Sequence, residues 1–184
     1  ITLIPELKLG IIVLTNQQSG AAFNAVTNSI KDGYLGIKGN DWVKIQLDAS
    51  QQAQKEAEQI KGEVDKLVAS GQKMGSPLMP AQIIGTYTDK WFGDVVIWEK
   101  DSKLWLMSVR SPRLKGELLA YKGSTFIVKW NDRSFDADAF VRFATDTDGN
   151  ATGMKMEAIS PLTDFSYDFQ DLDFTRKADV KTGK

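Results

Sequence analysis

Histidine and cysteine are both absent from this sequence of 184 residues. Without histidine there is no Ser-His-Asp or Cys-His nucleophile system, no imidazole metal site and no histidine pH switch. Without cysteine there are no disulfides, thiolate nucleophiles or thiolate zinc sites. The redox compartment stays open, because a cysteine-free chain tolerates cytosol and periplasm alike. An excess of either charge is also missing: 23 Lys and Arg stand against 24 Asp and Glu, a net charge of −1. Such a balance provides no long-range field for a polyanion, and so argues against nucleic acid and against a membrane surface as partners. Long hydrophobic runs are missing too. The longest, Leu9-Gly10-Ile11-Ile12-Val13-Leu14, is about a third of the roughly 20 residues a spanning helix needs. Nor is there a basic leader with a cleavage site. The chain opens at Ile1 in apolar, strand-like residues, which reads as a cut into a larger protein.

What is present is a globular composition, 42% hydrophobic, 10% aromatic and 26% charged, enough for one or two cores. The pattern divides into three zones. Residues 1–36 read as strand, turn, strand, helix. Thr2-Leu3-Ile4 leads through Pro5-Glu6-Leu7 to Leu9–Thr15, a β-branched run of the kind buried on both faces of a sheet. A helix follows with Ser19 as cap, Phe23, Val26, Ile30 and Tyr34 on one face, and Gly36 as its stop. A strand buried on both faces needs neighbours on both sides, and one hairpin cannot supply them, so the partner sheet of this zone lies elsewhere.

Residues 37–80 read as a linker containing a helix over 48–70, with Asp48 as N-cap and a narrow, Ala-rich stripe through Ala49, Ala53, Ala57, Ile60, Val64, Leu67 and Val68. Gly71, Pro77 and Pro80 end it. Residues 83–177 hold 15 of the 18 aromatics, and there the period switches to two. Eight strands are predicted: Ile83–Thr88, Asp94–Lys100, Lys103–Val109, Glu117–Lys122, Thr125–Trp130, Ala139–Thr145, Thr152–Ile159 and Tyr167–Arg176. Short turns between them favour an antiparallel meander closed into a barrel, with a two-sheet sandwich as the alternative. Alternation points Phe126, Val128, Trp130, Val141, Phe143, Met154 and Met156 inward. Residues 178–184 are a charged tail.

No catalytic pattern survives scrutiny. Ser70-Gly71-Gln72-Lys73 fits S-x-x-K and Lys181-Thr182-Gly183 fits K-T-G, the marks of penicillin-recognising hydrolases. An S-x-x-K serine must start a buried helix, however, whereas Ser70 falls at the end of one. Asp146-Thr147-Asp148-Gly149-Asn150 lacks the Gly and Glu spacings of a calcium loop and reads as a hairpin turn. The run Asp164, Asp168, Asp171, Asp173 reads as a solvated face, with Asp171 and Asp173 on one side of a strand. No catalytic residue, metal site or cofactor is assigned.

Two stretches carry a resemblance. Pro5-Glu6-Leu7-Lys8-Leu9-Gly10-Ile11-Ile12-Val13-Leu14-Thr15-Asn16, with Asp32-Gly33-Tyr34-Leu35-Gly36 and Asp41-Trp42, resembles the C-terminal strand and helix of the β-lactamase-related serine hydrolases. Gly85-Thr86-Tyr87, the hairpin Gly93 to Leu106, Thr125-Phe126 and above all Asp164-Phe165-Ser166-Tyr167-Asp168-Phe169-Gln170-Asp171-Leu172-Asp173-Phe174 resemble the lipocalin-like β-barrel appended to many of those enzymes. The resemblance implies an eight-stranded antiparallel barrel preceded by a strand-helix remnant of an α/β hydrolase domain and a linker helix. It implies a parent serine hydrolase, periplasmic or secreted, whose S-x-x-K lies upstream of Ile1, so that this chain is not itself an enzyme.

Two functions stand side by side. The barrel is either an accessory domain that shapes, gates or oligomerises the missing hydrolase domain, or a small apolar-ligand barrel lined by Tyr87, Trp105, Trp130 and Phe143. A lumen filled by Phe126, Trp130, Met154 and Phe174 would favour the first. Residues 1–36 are expected to be covered by the hydrolase domain or by another copy of the chain. Tyr87 and Arg176, on the first and last strands, are expected to meet as a cation–π closure of the barrel.

Overall fold

The computed structural model describes residues 1–16, 19–74 and 78–177. Contacts divide the chain into two units, Ile1–Glu58 and Gln59–Lys184. It is mainly β with helices.

In the first unit, β1 (Thr2–Ile4) and β2 (Leu9–Ile11) pair antiparallel through Thr2↔Ile11, Leu3↔Gly10 and Ile4↔Leu9. The turn between them is a single 3-10 turn at Pro5–Leu7, closed by Lys8 at φ 50°. The expected strand Leu9–Thr15 therefore stops at Ile11. The cause is the register: Thr2 already pairs with Ile11, so β1 has no residues left for the rest of the run. Ile12 is 66% exposed and Leu14 90%. Helix α1 (Ala21–Leu35) ends in Gly36 at φ 70°, a left-handed cap, but its apolar residues Phe23, Val26 and Tyr34 are exposed.

Helix α2 spans Trp42–Met74, longer at both ends than the predicted 48–70. Its cap is Asp41, whose carboxylate accepts the Lys44 N–H at 2.9 Å. Asp48 lies inside the helix, ion-paired with Lys44 at 2.6 Å, and so is no N-cap. Gly71 does not stop the helix either: a glycine within a helix costs only about 1 kcal/mol relative to alanine. The division between the units falls within α2, and only its residues from Gln59 onward belong to the second unit.

The second unit is built on β3 (Gly85–Asp89), β4 (Gly93–Lys100), β5 (Lys103–Ser108), β6 (Lys115–Lys122), β7 (Thr125–Trp130), β8 (Ala139–Thr145), β9 (Ala151–Ala158) and β10 (Asp173–Arg176). These strands form a closed barrel in the order β10-β3-β4-β5-β6-β7-β8-β9, every neighbour antiparallel. Closure removes exposed sheet edges, which a free eight-stranded meander would leave open to aggregation. Two predicted strands are corrected. Ile83 belongs to a one-turn helix, α3 (Pro80–Ile83), so the first barrel strand starts at Gly85. The last strand is four residues long and not ten. Tyr167 to Leu172 instead form a loop with a 3-10 turn at Phe169–Asp171, in which the Tyr167 ring meets Phe135 and the Phe169 ring stacks on Trp130.

The core is the barrel interior, where Tyr87, Val95, Ile97, Leu106, Leu118, Phe126, Val128, Val141, Phe143, Met154 and Phe174 are all buried in one cluster. On the outer face, Val64 and Val68 of α2 pack on Ile127 and Ile159, flanked by Leu119, Tyr121 and Phe140. Lys129 seals that contact with an ion pair to Asp65 at 2.6 Å. This part of α2 thus lies against the barrel and not through it. Phe126, in edge-to-face contact with Phe143 at 5.5 Å, has no solvent path through which its removal could be relieved. Phe126→Ala is expected to cost about 3–5 kcal/mol in urea denaturation, and an unchanged midpoint would take Phe126 out of the core.

Candidate functional site

Three of the four proposed lumen residues face inward. Tyr87, Trp130 and Phe143 are buried, and the Tyr87 and Phe143 rings lie 5.9 Å apart. Trp105 does not join them. On β5 the inward positions are Leu104, Leu106 and Ser108, so Trp105 faces outward, paired in register with Trp98 of β4. The Lys115 ammonium lies 5.4 Å from the Trp98 ring and 5.3 Å from that of Trp105. The sequence carries no signal for this trio, because Lys115 precedes the predicted strand Glu117–Lys122 but is the first residue of β6. The inner volume is taken up by the chain's own side chains: Phe126, Trp130, Met154 and Phe174 are all buried.

Both ends of the barrel are occupied. At the Gly85 end, Leu78 and Ile83 belong to the core cluster, and the Tyr87 hydroxyl donates to the Ile83 carbonyl at 2.7 Å. Arg176, in register with Tyr87, donates from Nη1 to the Gln82 carbonyl at 2.8 Å and the Ala151 carbonyl at 3.2 Å, and from Nη2 to the Ile84 carbonyl at 2.6 Å. Among the described residues the cation-over-ring contacts are those of Arg113 and Lys115, so Arg176 ties the end together through carbonyls. Gly85 makes this possible: at φ 152° it has no Cβ, and one placed there would lie 3.1 Å from Arg176 Nε. At the Asp89 end, Trp130 stacks on Phe169 with centroids 6.3 Å apart, and its indole N–H donates to the Ala137 carbonyl at 2.6 Å. Phe92 meets Phe174 edge-on at 5.8 Å. Asp89 joins first strand to last, its Oδ1 accepting the Trp91 and Phe92 N–H groups and its Oδ2 that of Asp173. Desolvation pushes the Asp89 carboxyl up, but these three N–H groups outweigh it and the net shift is downward.

The other motifs have structural roles. Ser70 sits within the last turns of α2 and its hydroxyl donates to the Lys66 carbonyl at 2.8 Å. Lys181-Thr182-Gly183 and the rest of the tail from residue 178 lie outside the described residues. The Asp146 carboxylate accepts the N–H groups of Asp148 and Asn150, closing the hairpin between β8 and β9 with Gly149 at φ 81°. Asp171 lies in the 3-10 turn before β10, so it does not share a strand face with Asp173 as predicted. Among the described residues no group of three or more acidic side chains is placed to hold a metal ion, and no helix is long and apolar enough to cross a membrane.

In the first unit, α1 and the start of α2 border an apolar groove of about 400 Å³ lined by Ala21, Ala25, Val26, Val43 and Leu47, with Ser19, Gln46 and Ser50 among its polar edges. Val43 and Leu47, which fall in the linker by sequence, lie in the first turns of α2. Their four-residue spacing was the signal that the helix begins earlier.

The model of a family described as Domain of unknown function (DUF3471) matches residues 76–176, more than half of the chain. The chain belongs to this family. No curated protein matches. A solved structure similar to this chain is the crystal structure of the C-terminal domain of penicillin binding protein Rv0907, at 17% identity and a TM-score of 0.37, covering 55% of this chain and 93% of that one. The DUF3471 match begins before α3 and ends on Arg176, and so contains both the helix that plugs the Gly85 end and the residue that ties it.

Burial pushes the Tyr87 phenol up to about 12, with Arg176 pulling weakly the other way. A raised phenol favours the neutral form in the folded state, so its contribution is complete below the ordinary value of 10.0 and is lost as pH rises from there to about 12. In an ultraviolet titration one tyrosine should ionise only near pH 12, together with unfolding, and Tyr87→Phe should delete that step. A tyrosinate signal complete by pH 11 would contradict this burial.

Proposed function

We propose that the DUF3471 barrel of this chain is a non-catalytic accessory domain of a β-lactamase-related serine hydrolase, acting by contact to shape, gate or oligomerise a catalytic domain. The observation that carries the reading is the filled interior. Phe126, Trp130, Met154 and Phe174 take the space in which a lipocalin-type ligand would sit, and both mouths are blocked, one by Leu78 and Ile83, the other by Trp130 and Phe169. Admitting even a small ligand would mean opening a cavity against close packing, at about 24 cal/mol per Å³. The closed interior therefore weighs against the apolar-ligand alternative.

The partner is the hydrolase domain to which residues 1–36 bear their resemblance. Among the described residues, thirteen of the nineteen exposed large apolar side chains lie in the first unit, which makes up about a third of the chain, and they include Leu3, Ile12, Leu14, Phe23, Val26 and Tyr34. Apolar surface on that scale is a docking face or an aggregation liability. The S-x-x-K machinery would come from the partner, and the barrel would bring it no reacting group.

The reading is tested by offering the chain a ligand and a substrate. With the apolar dye N-phenyl-1-naphthylamine no saturable uptake into the barrel is expected, and with p-nitrophenyl acetate no burst of p-nitrophenol. Saturable dye binding abolished by Phe143→Ala would transfer the argument to a ligand barrel. A stoichiometric burst would make the chain an enzyme. By light scattering the chain on its own should self-associate through its first unit, and the double change Ile12→Asp and Leu14→Asp should shift it towards monomer. A chain that is monomeric at all concentrations would show that this surface needs no cover.

A further inference from the structure

One apolar face of the barrel is covered by a helix that lies outside the residues spanned by the DUF3471 family. Leu119, Tyr121, Ile127, Phe140 and Ile159 cluster on the outer surface, where Ile127 is fully buried although it points away from the interior. The Tyr121 and Phe140 rings lie 5.2 Å apart. All five residues fall within 76–176, whereas their cover, α2 from Gln59 onward, precedes that range. Uncovered, this face would be a patch of two aromatic and three aliphatic side chains, of the kind that marks an interaction site.

The cover is slight. From Gln59 to Ser70 only Val64 and Val68 are buried, with Ile60 half-buried one turn earlier, a single row at four-residue spacing. Between helix and sheet there remains a cleft of about 80 Å³, lined by Lys61, Asp65, Lys129, Arg133 and Asp138 as well as by apolar groups, with room for water. Two ion pairs cross the contact, Asp65 with Lys129 at 2.6 Å and Lys61 with Asp136 at 2.5 Å. All four side chains are more than a third exposed, so salt weakens both pairs. Gly62 lies in this stretch with open space where a Cβ would be, so no close approach requires it, and glycine is the poorest helix former after proline. A closed barrel of eight strands and a helix held by two valines differ in local stability, and the weaker element opens first.

We propose that α2 from Gln59 onward is a releasable latch over a helix-binding face of the barrel. In place of the latch the face accepts an amphipathic helix with apolar residues at i, i+4 and i+8, a base at i+1 and an acid at i+5. The latch itself states that chemistry: Ile60, Val64 and Val68 form the row, Lys61 meets Asp136 and Asp65 meets Lys129. Being tethered, the latch competes at an effective concentration on the order of millimolar, so a free helix gains the face when the latch is weakened. The proposal rests on the accessory reading in that the barrel works by contact, and it names the face and the chemistry of that contact.

The test is nuclear magnetic resonance of the whole isotope-labelled chain. Amides of residues 60–68 should exchange about tenfold faster than those of β7 and β8, and faster still in about 0.5 M sodium chloride. The binding probe is an unlabelled synthetic peptide with the sequence of residues 57–70. Against the double variant Val64→Asp and Val68→Asp it should give saturable shifts at Tyr121, Ile127 and Phe140, about tenfold tighter than against the unchanged chain. Adding Lys129→Asp to that variant should weaken the peptide by about fivefold, and Asp65→Lys in the peptide should restore it. Gly62→Ala in the otherwise unchanged chain should slow exchange of the latch and weaken peptide binding. Exchange of residues 60–68 as slow as in the barrel strands would overturn the proposal, and so would a double variant whose barrel no longer folds. Absence of peptide shifts on the folded variant, or equal binding of a peptide carrying Val64→Asp, would overturn it as well. Shifts at Tyr87 and Phe143 with N-phenyl-1-naphthylamine would count against the accessory reading instead, so the two failures are told apart.

Discussion

Closing an eight-stranded sheet with a last strand of four residues is the constraint on which this barrel depends. Between β10 and β3 there are only two register pairs, Thr175↔Thr88 and Arg176↔Tyr87. Two pairs hold a seam poorly unless something fixes its ends. Arg176 fixes one, placing a guanidinium with five donors where three carbonyls from α3, the start of β3 and the start of β9 converge. Asp89 fixes the other by accepting the Asp173 N–H. On the outside Lys177 adds an ion pair to Asp94 at 2.7 Å, and its own N–H donates to the Thr86 carbonyl. Lysine could not replace Arg176 in this role, since one ammonium cannot fork across carbonyls on both sides of a seam.

Once the seam is set, the interior follows. Each of the eight strands sends at least one large apolar side chain into the interior, and the strands approach closely at Gly153, where a Cβ would lie 2.5 Å from the Phe174 carbonyl oxygen. No buried side-chain nitrogen or oxygen among the described residues lacks a hydrogen-bond partner. A barrel made to hold a ligand tends to leave polar groups convergent on a cavity, whereas here the Tyr87 hydroxyl and the Trp130 indole N–H are both taken by carbonyls of the plugging segments. The inner polar groups are used to hold the ends closed.

The barrel was legible because strict alternation in Thr125–Trp130 and Ala139–Thr145 leaves one face apolar, and short Asp and Gly turns leave antiparallel pairing as the simplest connection. Where alternation failed, so did the reading. Lys103-Leu104-Trp105-Leu106-Met107 is apolar at both parities, and only the register with β4 and β6 decides that Leu106 faces in and Trp105 faces out. The start of α2 was hidden because Asp41 and Asp48 are equally good caps by type, and the choice depends on which one's backbone leaves the helix. The segment Tyr167 to Leu172 read as a strand because its aromatics alternate. In space the same spacing sends Tyr167 and Phe169 together beneath the barrel. Arg176 was singled out, but the carbonyls it serves belong to segments 25 and more than 90 residues away, and no local pattern encodes them.

The two ends of the barrel consequently have different physical characters. At the Gly85 end the plug is α3 and a guanidinium whose donors are turned onto backbone carbonyls, and the hairpin turns there carry no large exposed apolar group among the described residues. At the Asp89 end the plug is aromatic, Trp130 on Phe169 and Phe92 on Phe174, and the loops that deliver those rings also carry Trp91 and Phe165 out into water. Within the stretch Asp164 to Phe174, Tyr167, Phe169 and Phe174 account for closure. Phe165 is left over, since closure alone would be served as well by a polar residue at that position. The end fastened by hydrogen bonds exposes Met79 of its plug, whereas the loops of the end fastened by aromatics expose four large apolar side chains, and this difference sets the two ends of the barrel apart.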